Sequence, residues 1–440
     1  MWLLLASPLV LRAQYGGIEV PGLPTGNGPI RVKKIVDQYP AQPSLQPACT
    51  IPVGPLGYSV PGNSYLLRKQ SLVSLDFLDE DRLLFTFHVS SGLLSRDADD
   101  RAETTAQQIQ AEVLSLPGGH IEAKATWTVP DRSRYLWMLN DGQFLLRITE
   151  GLDQGDAQLK MKPSLRLPGR LLWIQMDPMQ QILITNSLEQ ATAAQEHPDP
   201  SAPAGDPPNA KTDATNSSDI LVVRTIKRST GEVTRTTRVP WTHQTDDWPM
   251  NSKGYVEKLQ DKQKHPVLKF TSYSGEFWLL PGVESTCPQK YSFLSDTELL
   301  VTVCDPEGGW GLRGVSIEGD VLWKQKLAWN TMWPLLVVAP DGSRVARETL
   351  VLKRTINHYQ KQLVGDRDLQ GQMVRVFDAA NGKTVLEAPL TPIFDGGGNV
   401  AISPSGKRVA ILTSGSIQVF QLPPPSPSPK PRVAAQSKPK

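Results

Sequence analysis

The 440-residue sequence predicts an all-β fold, a β-propeller of seven four-stranded blades, with six blades as the alternative. Three observations predict it. An apolar run, a tight polar turn and a second apolar run recur along most of the chain. A second kind of hairpin, with glycine in its turn, follows several of these copies. The two together repeat at roughly 40–60 residues, the period expected when one antiparallel sheet is repeated around an axis.

The first hairpin type appears as LVSLDFLDEDRLLFTFHV (72–89), RYLWMLNDGQFLLRI (134–148) and LLWIQMDPMQQILIT (171–185). It returns as YSFLSDTELLVTV (291–303), LLVVAPDGSRVARE (335–348) and VAISPSGKRVAIL (400–412). Alternating or fully apolar runs joined by short polar turns are the pattern of β-hairpins with one or both faces buried. The second type appears as AEVLSLPGGHIEAKATW (111–127), ILVVRTIKRSTGEVTRTTRVPW (220–241), RGVSIEGDVLWKQKLAW (313–329) and VRVFDAANGKTVLEAPL (374–390). Glycine in these turns suits a backbone that needs positive φ. The interval from 171 to 291 holds about two units, so a weakly marked blade is expected in 243–283, with VLKFTSY and GEFWLLPG as strands. The last copy, 400–422, has three strands only. A ring must not leave an edge open, so an N-terminal segment, residues 56–69, is expected to supply the missing outer strand.

Around this ring the chain divides by composition. Residues 1–14 read as an export signal: Trp2 to Leu11 is a short apolar run, Ala13 is a small residue before a cut, and the run is too short to span a membrane. The mature chain is therefore expected outside the cytoplasm, periplasmic or secreted, with no transmembrane segment. Residues 15–55 are a linker punctuated by proline and glycine. The propeller covers 56–422 and carries a polar, small-residue insertion at 187–219 that buries too little apolar surface to order itself. Residues 423–440 form a proline-rich tail.

DAANGKTVLEAPL resembles the turn of YVTN-type repeats, and ILITN (182–186) resembles the strand that names that group. APDGSRVA and SPSGKRVAI resemble the turns of WD-repeat-like and related bacterial propellers, and IEGDVLWKQ resembles a segment of quinoprotein-like propellers. The resemblance covers about residues 56–422. It implies the shape of an exported bacterial propeller, a class that includes enzymes, binding modules and scaffolds, and it implies no particular activity.

Charge narrows the partners. The 46 basic and 44 acidic residues give a net charge of +2, spread along the chain, so nothing favours nucleic acid, which calls for a clustered basic surface. GWGLRG (Gly309 to Gly314) matches a dinucleotide fingerprint in letters only, because an alternating strand follows it where a helix would have to open. The six histidines show no metal-ligand spacing on one element, and the acidic runs at 76–81 and 96–100 lack the spacing of a calcium loop. No cofactor, metal or catalytic residue is assigned.

Loop lengths differ between the two sides of the ring. Turns between first and second strands, and between third and fourth, are short. Connections between second and third strands are long at 90–110, 187–219, 304–314 and 347–372, and all would leave the same face. Function on a rigid scaffold is usually carried by such loops. Three fourth strands end in tryptophan, Trp127, Trp241 and Trp329, and Trp310 lies in a long connection. They either stack a sugar or peptide or serve as repeated packing residues between blades. Cys287 and Cys304 flank one hairpin. A turn centred on Ser295 and Asp296 would bring positions that sum to about 591 opposite one another, as these two do, which predicts a disulfide. The expected protein is a monomeric binding or scaffold propeller with a protein, peptide or glycan partner on its loop-rich face. The alternative is a propeller enzyme (lyase, hydrolase or quinoprotein-like oxidoreductase) with its site at the channel mouth.

Overall fold

The computed structural model describes residues 45–59, 72–88, 106–131, 133–190, 219–240, 249–260, 266–280, 289–304, 310–317, 320–327, 330–353, 368–391, 393 and 397–426. Strand β1 is Cys49–Pro52. Blade I follows as β2 (Ser74–Phe77), β3 (Arg82–His88), β4 (Gln107–Ser115) and β5 (Ile121–Val129). Blade II is β6 (Leu136–Met138), β7 (Phe144–Ile148), β8 (Gly151–Gly155) and β9 (Met161–Arg166). Blade III is β10 (Arg170–Met176), β11 (Ile182–Gln190), β12 (Asp219–Lys227) and β13 (Val233–Pro240). Blade IV shows β14 (Gly254–Gln260), β15 (Pro266–Ser272) and β16 (Phe277–Leu280). Blade V is β17 (Lys290–Phe293), β18 (Glu298–Cys304), β19 (Trp310–Ser316) and β20 (Val321–Lys326). Blade VI is β21 (Thr331–Val338), β22 (Arg344–Leu352), β23 (Leu369–Asp378) and β24 (Thr384–Leu390). Blade VII joins β25 (Val400–Ile402), β26 (Arg408–Leu412) and β27 (Ser416–Gln421) to β1.

The seven sheets are antiparallel, with hydrogen-bonded neighbours in chain order. First strands of adjacent blades, such as β2 with β6 and β25, approach one another and surround the axis. Second strands read as continuous apolar runs because both of their faces lie between blades: Leu83, Leu84 and Phe85 are fully buried in β3, as are Val409, Ala410, Ile411 and Leu412 in β26. Fourth strands form the rim and are mixed, so β13 reads VTRTTRVP and is exposed from Val233 to Arg238.

The ring closes with one strand from the N-terminus, but not the expected one. Residues 60–69 lie outside the described residues, and the closing strand is β1, earlier in the chain, paired with β27 through Thr50 opposite Gln418 and Ile51 opposite Ile417. Ile51 and Val53 are 3% and 2% exposed, buried in the core between blades VII and I. Four residues between Pro47 and Pro52 give almost no strand signal. Proline is tolerated there because an outermost strand needs no N–H on its free side.

The weakly marked fourth blade is present, and VLKFTSY and GEFWLLPG supply β15 and β16 as expected. Its first described strand, however, plays the second-strand role. Residues 251–253 form a turn on the same side as the other first-to-second turns, and a single bridge between Met250 and Tyr255 stands at the innermost position. Among the described residues that sheet has three strands.

The short turns interlock. Asn140 N–H donates to Gln180 Oε1 at 2.7 Å, while Gln180 Nε2 donates to Met138 O at 3.2 Å, joining blades II and III. Ser252 N–H donates to Asp296 Oδ1 at 3.0 Å, joining IV and V. Ser405 N–H donates to Glu80 Oε1 at 2.8 Å and Arg408 pairs with Asp81 at 2.9 Å, which ties blade VII to blade I across the closure. On this face, hydrogen bonds thus tie turn to turn at three of the seven seams between blades.

Candidate functional site

The opposite face carries the crossovers from each fourth strand to the next first strand, and there polar groups gather, some of them buried. Asp76 sits on β2, two residues after Ser74, whose hydroxyl it accepts at 2.5 Å. Arg134 leads into β6, donates through Nε to Leu136 O at 3.1 Å and lies 5.2 Å above the Trp137 ring. Desolvation raises the Asp76 carboxyl above its usual range against the Ser74 hydrogen bond and the charge of Arg134. Desolvation also lowers Arg134, against the charge of Asp76. Asp76 is half-buried and Arg134 exposed, so the two opposite charges lie within electrostatic reach of each other in a water-accessible space that protein crowds closely, beside the innermost strands. Tyr135 fixes this wall: its hydroxyl donates to Leu72 O at 2.7 Å and meets Thr86 Oγ1 at 2.6 Å, bolting blade II to blade I. Trp137 and Trp173 meet edge to face at 5.9 Å on the first strands of blades II and III.

On the other side of blade I, the crossover from VI to VII enters the same region. Gly398 has φ +87° and lies so close to Val73 that a Cβ would stand 2.0 Å from its carbonyl oxygen, so only glycine lets this backbone pass. The next residue, Asn399, is fully buried and donates to Gln372 Oε1 at 3.4 Å, and Gln372 donates to Glu348 Oε2 at 3.3 Å. Glu348 is 0% exposed, and among the described residues its Oε1, like Asn399 Oδ1, has no hydrogen-bond partner. Burial pushes the Glu348 carboxyl up to about 8. It is therefore mostly protonated at neutral pH, and the proton turns one of its two acceptor oxygens into a donor.

A third cluster secures the crossover from I to II. Asp131, 2% exposed, takes both guanidinium nitrogens of the fully buried Arg147, at 2.5 and 3.1 Å, and Arg170 at 2.8 Å. Burial works against its charge, but the hydrogen bonds and charge of Arg147, with Arg170 and the Ser133 N–H, hold the carboxyl well below the usual range. Among the described residues no group of three His, Cys, Asp or Glu side chains is placed to hold a metal ion, and no helix is long and apolar enough to cross a membrane.

The residues singled out by sequence are not gathered at this site. Trp127 is 7% exposed and its ring lies 5.3 Å from Phe144 of blade II, so it fills the seam between blades and offers no face to a ligand. The rings are interleaved because a fourth strand's inward side chain meets the neighbouring blade, not the axis. Trp310 opens β19, half-buried opposite Cys304. Trp241 and Trp329 lie outside the described residues. Cys304 is disulfide-bonded and Cys49 is free, whereas Cys287 lies outside the described residues. The β17–β18 ladder, with Tyr291 opposite Val301 and Lys290 opposite Thr302, is one residue out of the register that the cysteine spacing assumed. Denatured without reductant, the chain is expected to titrate one thiol; three would remove the disulfide.

Reading by motif missed Asp76, Arg134, Glu348 and Asn399. A weak signal exists for the two carboxylates, each of which interrupts an apolar strand, LVSLDFL and VARETLVL.

No protein-family model matches the chain, and no curated protein matches it. Among solved structures it is similar to the C-terminal WD40 domain of Sif2, at 10% identity and a TM-score of 0.43, covering 86% of this chain and 99% of that one. It is also similar to the Pyrococcus horikoshii acylaminoacyl peptidase, at 10% identity and a TM-score of 0.46, covering 84% of this chain and 54% of that one. A third similar structure is an oligogalacturonate lyase in complex with manganese, at 10% identity and a TM-score of 0.41, covering 80% of this chain and 96% of that one. The fold rests on the chain's own sheets: seven antiparallel sheets in a ring, the arrangement of a β-propeller.

Proposed function

We propose that the chain is an exported binding propeller that holds a protein, peptide or glycan partner on its crossover face. One observation carries this reading: the two faces are built differently. On the short-turn face, hydrogen bonds tie turn to turn at three seams between blades. The crossover face presents the mouth of the channel, with Asp76 and Arg134 at its wall, and from it leave the connections after β3, β11 and β22. A rigid ring that is tied on one side and elaborated on the other suits recognition by loops.

The test is capture of partners by the full chain and by variants in which residues 89–105, 191–218 and 354–367 are each replaced by a short Gly-Ser linker. Loss of a specific partner on trimming supports the reading, and an unchanged set of partners overturns it. The enzyme reading is favoured by the Asp76–Arg134 pair beside the axis. Turnover of an oligosaccharide or peptide substrate that disappears in Asp76→Asn, with folding retained, would replace binding by catalysis.

A further inference from the structure

The rim of blade IV is set apart by large exposed apolar side chains. Its outermost strand, β16, reads FWLL, and Phe277, Trp278 and Leu279 are 64%, 41% and 62% exposed. Exposed edge strands are normally blunted by charge, proline or brevity. The rim strands of blades I, III and V carry Lys124, Arg235 and Lys324 among their residues, but β16 carries no charge at all.

The ladder shows which groups are open. Ser272 N–H donates to Glu276 O at 2.8 Å, and Phe270 stands opposite Trp278. Alternation of bonded and non-bonded pairs in an antiparallel ladder then turns the N–H and C=O of Trp278 inward. Those of Phe277 and Leu279 point away from β15, and among the described residues no strand pairs with that side. Phe277 and Leu279 also share a sheet face with Thr271 and Lys269, and behind them with Tyr255 and Glu257. On that face Lys269 pairs with Glu257 at 3.0 Å and lies 4.8 Å above the Phe277 ring, and Arg235 of β13 donates to Tyr255 Oη at 2.9 Å. Two cations and one carboxylate leave the face net positive.

We propose that this edge is a docking strand that takes an extended segment of a partner protein as the next strand of blade IV. Main-chain bonds to Phe277 and Leu279 give it affinity. Apolar side chains against Trp278, and at least one carboxylate toward Lys269 and Arg235, give it selectivity. A second copy of this chain does not fit: pairing two β16 strands brings like charge together, and four residues bury far less than the roughly 1,200 Å² of a stable interface. The chain's own tail does not fit either, because PPPSPSPKPR lacks the N–H groups a ladder needs and is basic. This surface is at the rim and is independent of the crossover face.

The experiment uses the full chain and two labelled, capped decapeptides, one alternating Val and Glu, the other Val and Lys, read by fluorescence anisotropy. The Val-Glu peptide is expected to bind about tenfold or more tightly than the Val-Lys peptide. It is expected to lose binding to Leu279→Pro, which removes one outward N–H and no internal ladder bond. If Leu279→Pro melts early, the exposed-side double variant Phe277→Ser with Leu279→Ser takes its place. Equal binding of both peptides, or binding unchanged in the variants, overturns the proposal. So does a concentration-dependent dimer in sedimentation that the double variant abolishes, since the occupant would then be a second copy.

Discussion

Glu348→Gln is expected to stabilise the protein above pH 5 and to flatten its stability between about pH 4.5 and 8. The sign follows from linkage. In the unfolded chain the carboxyl titrates near 4.5, and in the folded chain burial raises it to about 8. The folded state therefore holds the proton more tightly, and stability falls as pH rises through that window, because the unfolded chain ionises first. A shift of this size corresponds to about 5 kcal/mol, fully lost above the folded value. Glutamine keeps the bond from Gln372 and supplies an N–H to the buried oxygens near Asn399 without ever ionising. Its ionisable neighbour in sequence, Arg347, lies on the other face of β22, over the Phe377 ring at 5.3 Å, so it gives Glu348 no counter-charge. Urea midpoints measured from pH 4 to 9 check this. A wild-type midpoint as flat as that of the variant would show that the carboxyl is not held protonated.

Asp131→Ala is expected to cost about 3–5 kcal/mol, because it leaves the fully buried Arg147 without its anion while its guanidinium stays enclosed. The loss falls on the crossover from blade I to blade II, where Arg147 also donates to Arg134 O at 3.0 Å and to Leu171 O at 3.2 Å. Arg134 is thus positioned by the same cluster, so the variant is expected to loosen the wall of the channel as well. The double variant Asp131→Leu with Arg147→Met is expected to recover much of the loss, since apolar side chains of similar volume carry no desolvation penalty. Asp131 also shapes the acid limb. Its folded pKa lies below the unfolded one, so its stabilisation is present above about pH 4 and disappears as pH falls further. Denaturant midpoints of the three proteins at pH 7 decide it, and a single variant as stable as wild type would remove the role given to the pair.

The strands were legible because second strands bury both faces against neighbouring blades and so need nearly uninterrupted apolar runs such as RLLFTFH and ELLVTVC. Closure was legible as a need, a missing outer strand, but not in its place, because the four-residue β1 is held by partners in β27 and not by its own propensity. Trp127 was noticed for its position and is explained by the Phe144 ring beside it. Asp76, Arg134, Glu348 and Asn399 could not be grouped in advance. Asp76 and Arg134 come from blades I and II, and Glu348 and Asn399 from blades VI and VII, so each grouping exists only once neighbouring blades have packed.

The sequence by itself determined the repeated hairpins and the turn chemistry, since each depends on contacts within about 60 residues, and it narrowed the blades to seven or six. The tertiary structure decided how the ring closes, which face is tied, where carboxyls lose their charge and which rim strand stays open. Those properties depend on burial, and burial is set by neighbours that the chain reaches only after the seven sheets have met around one axis.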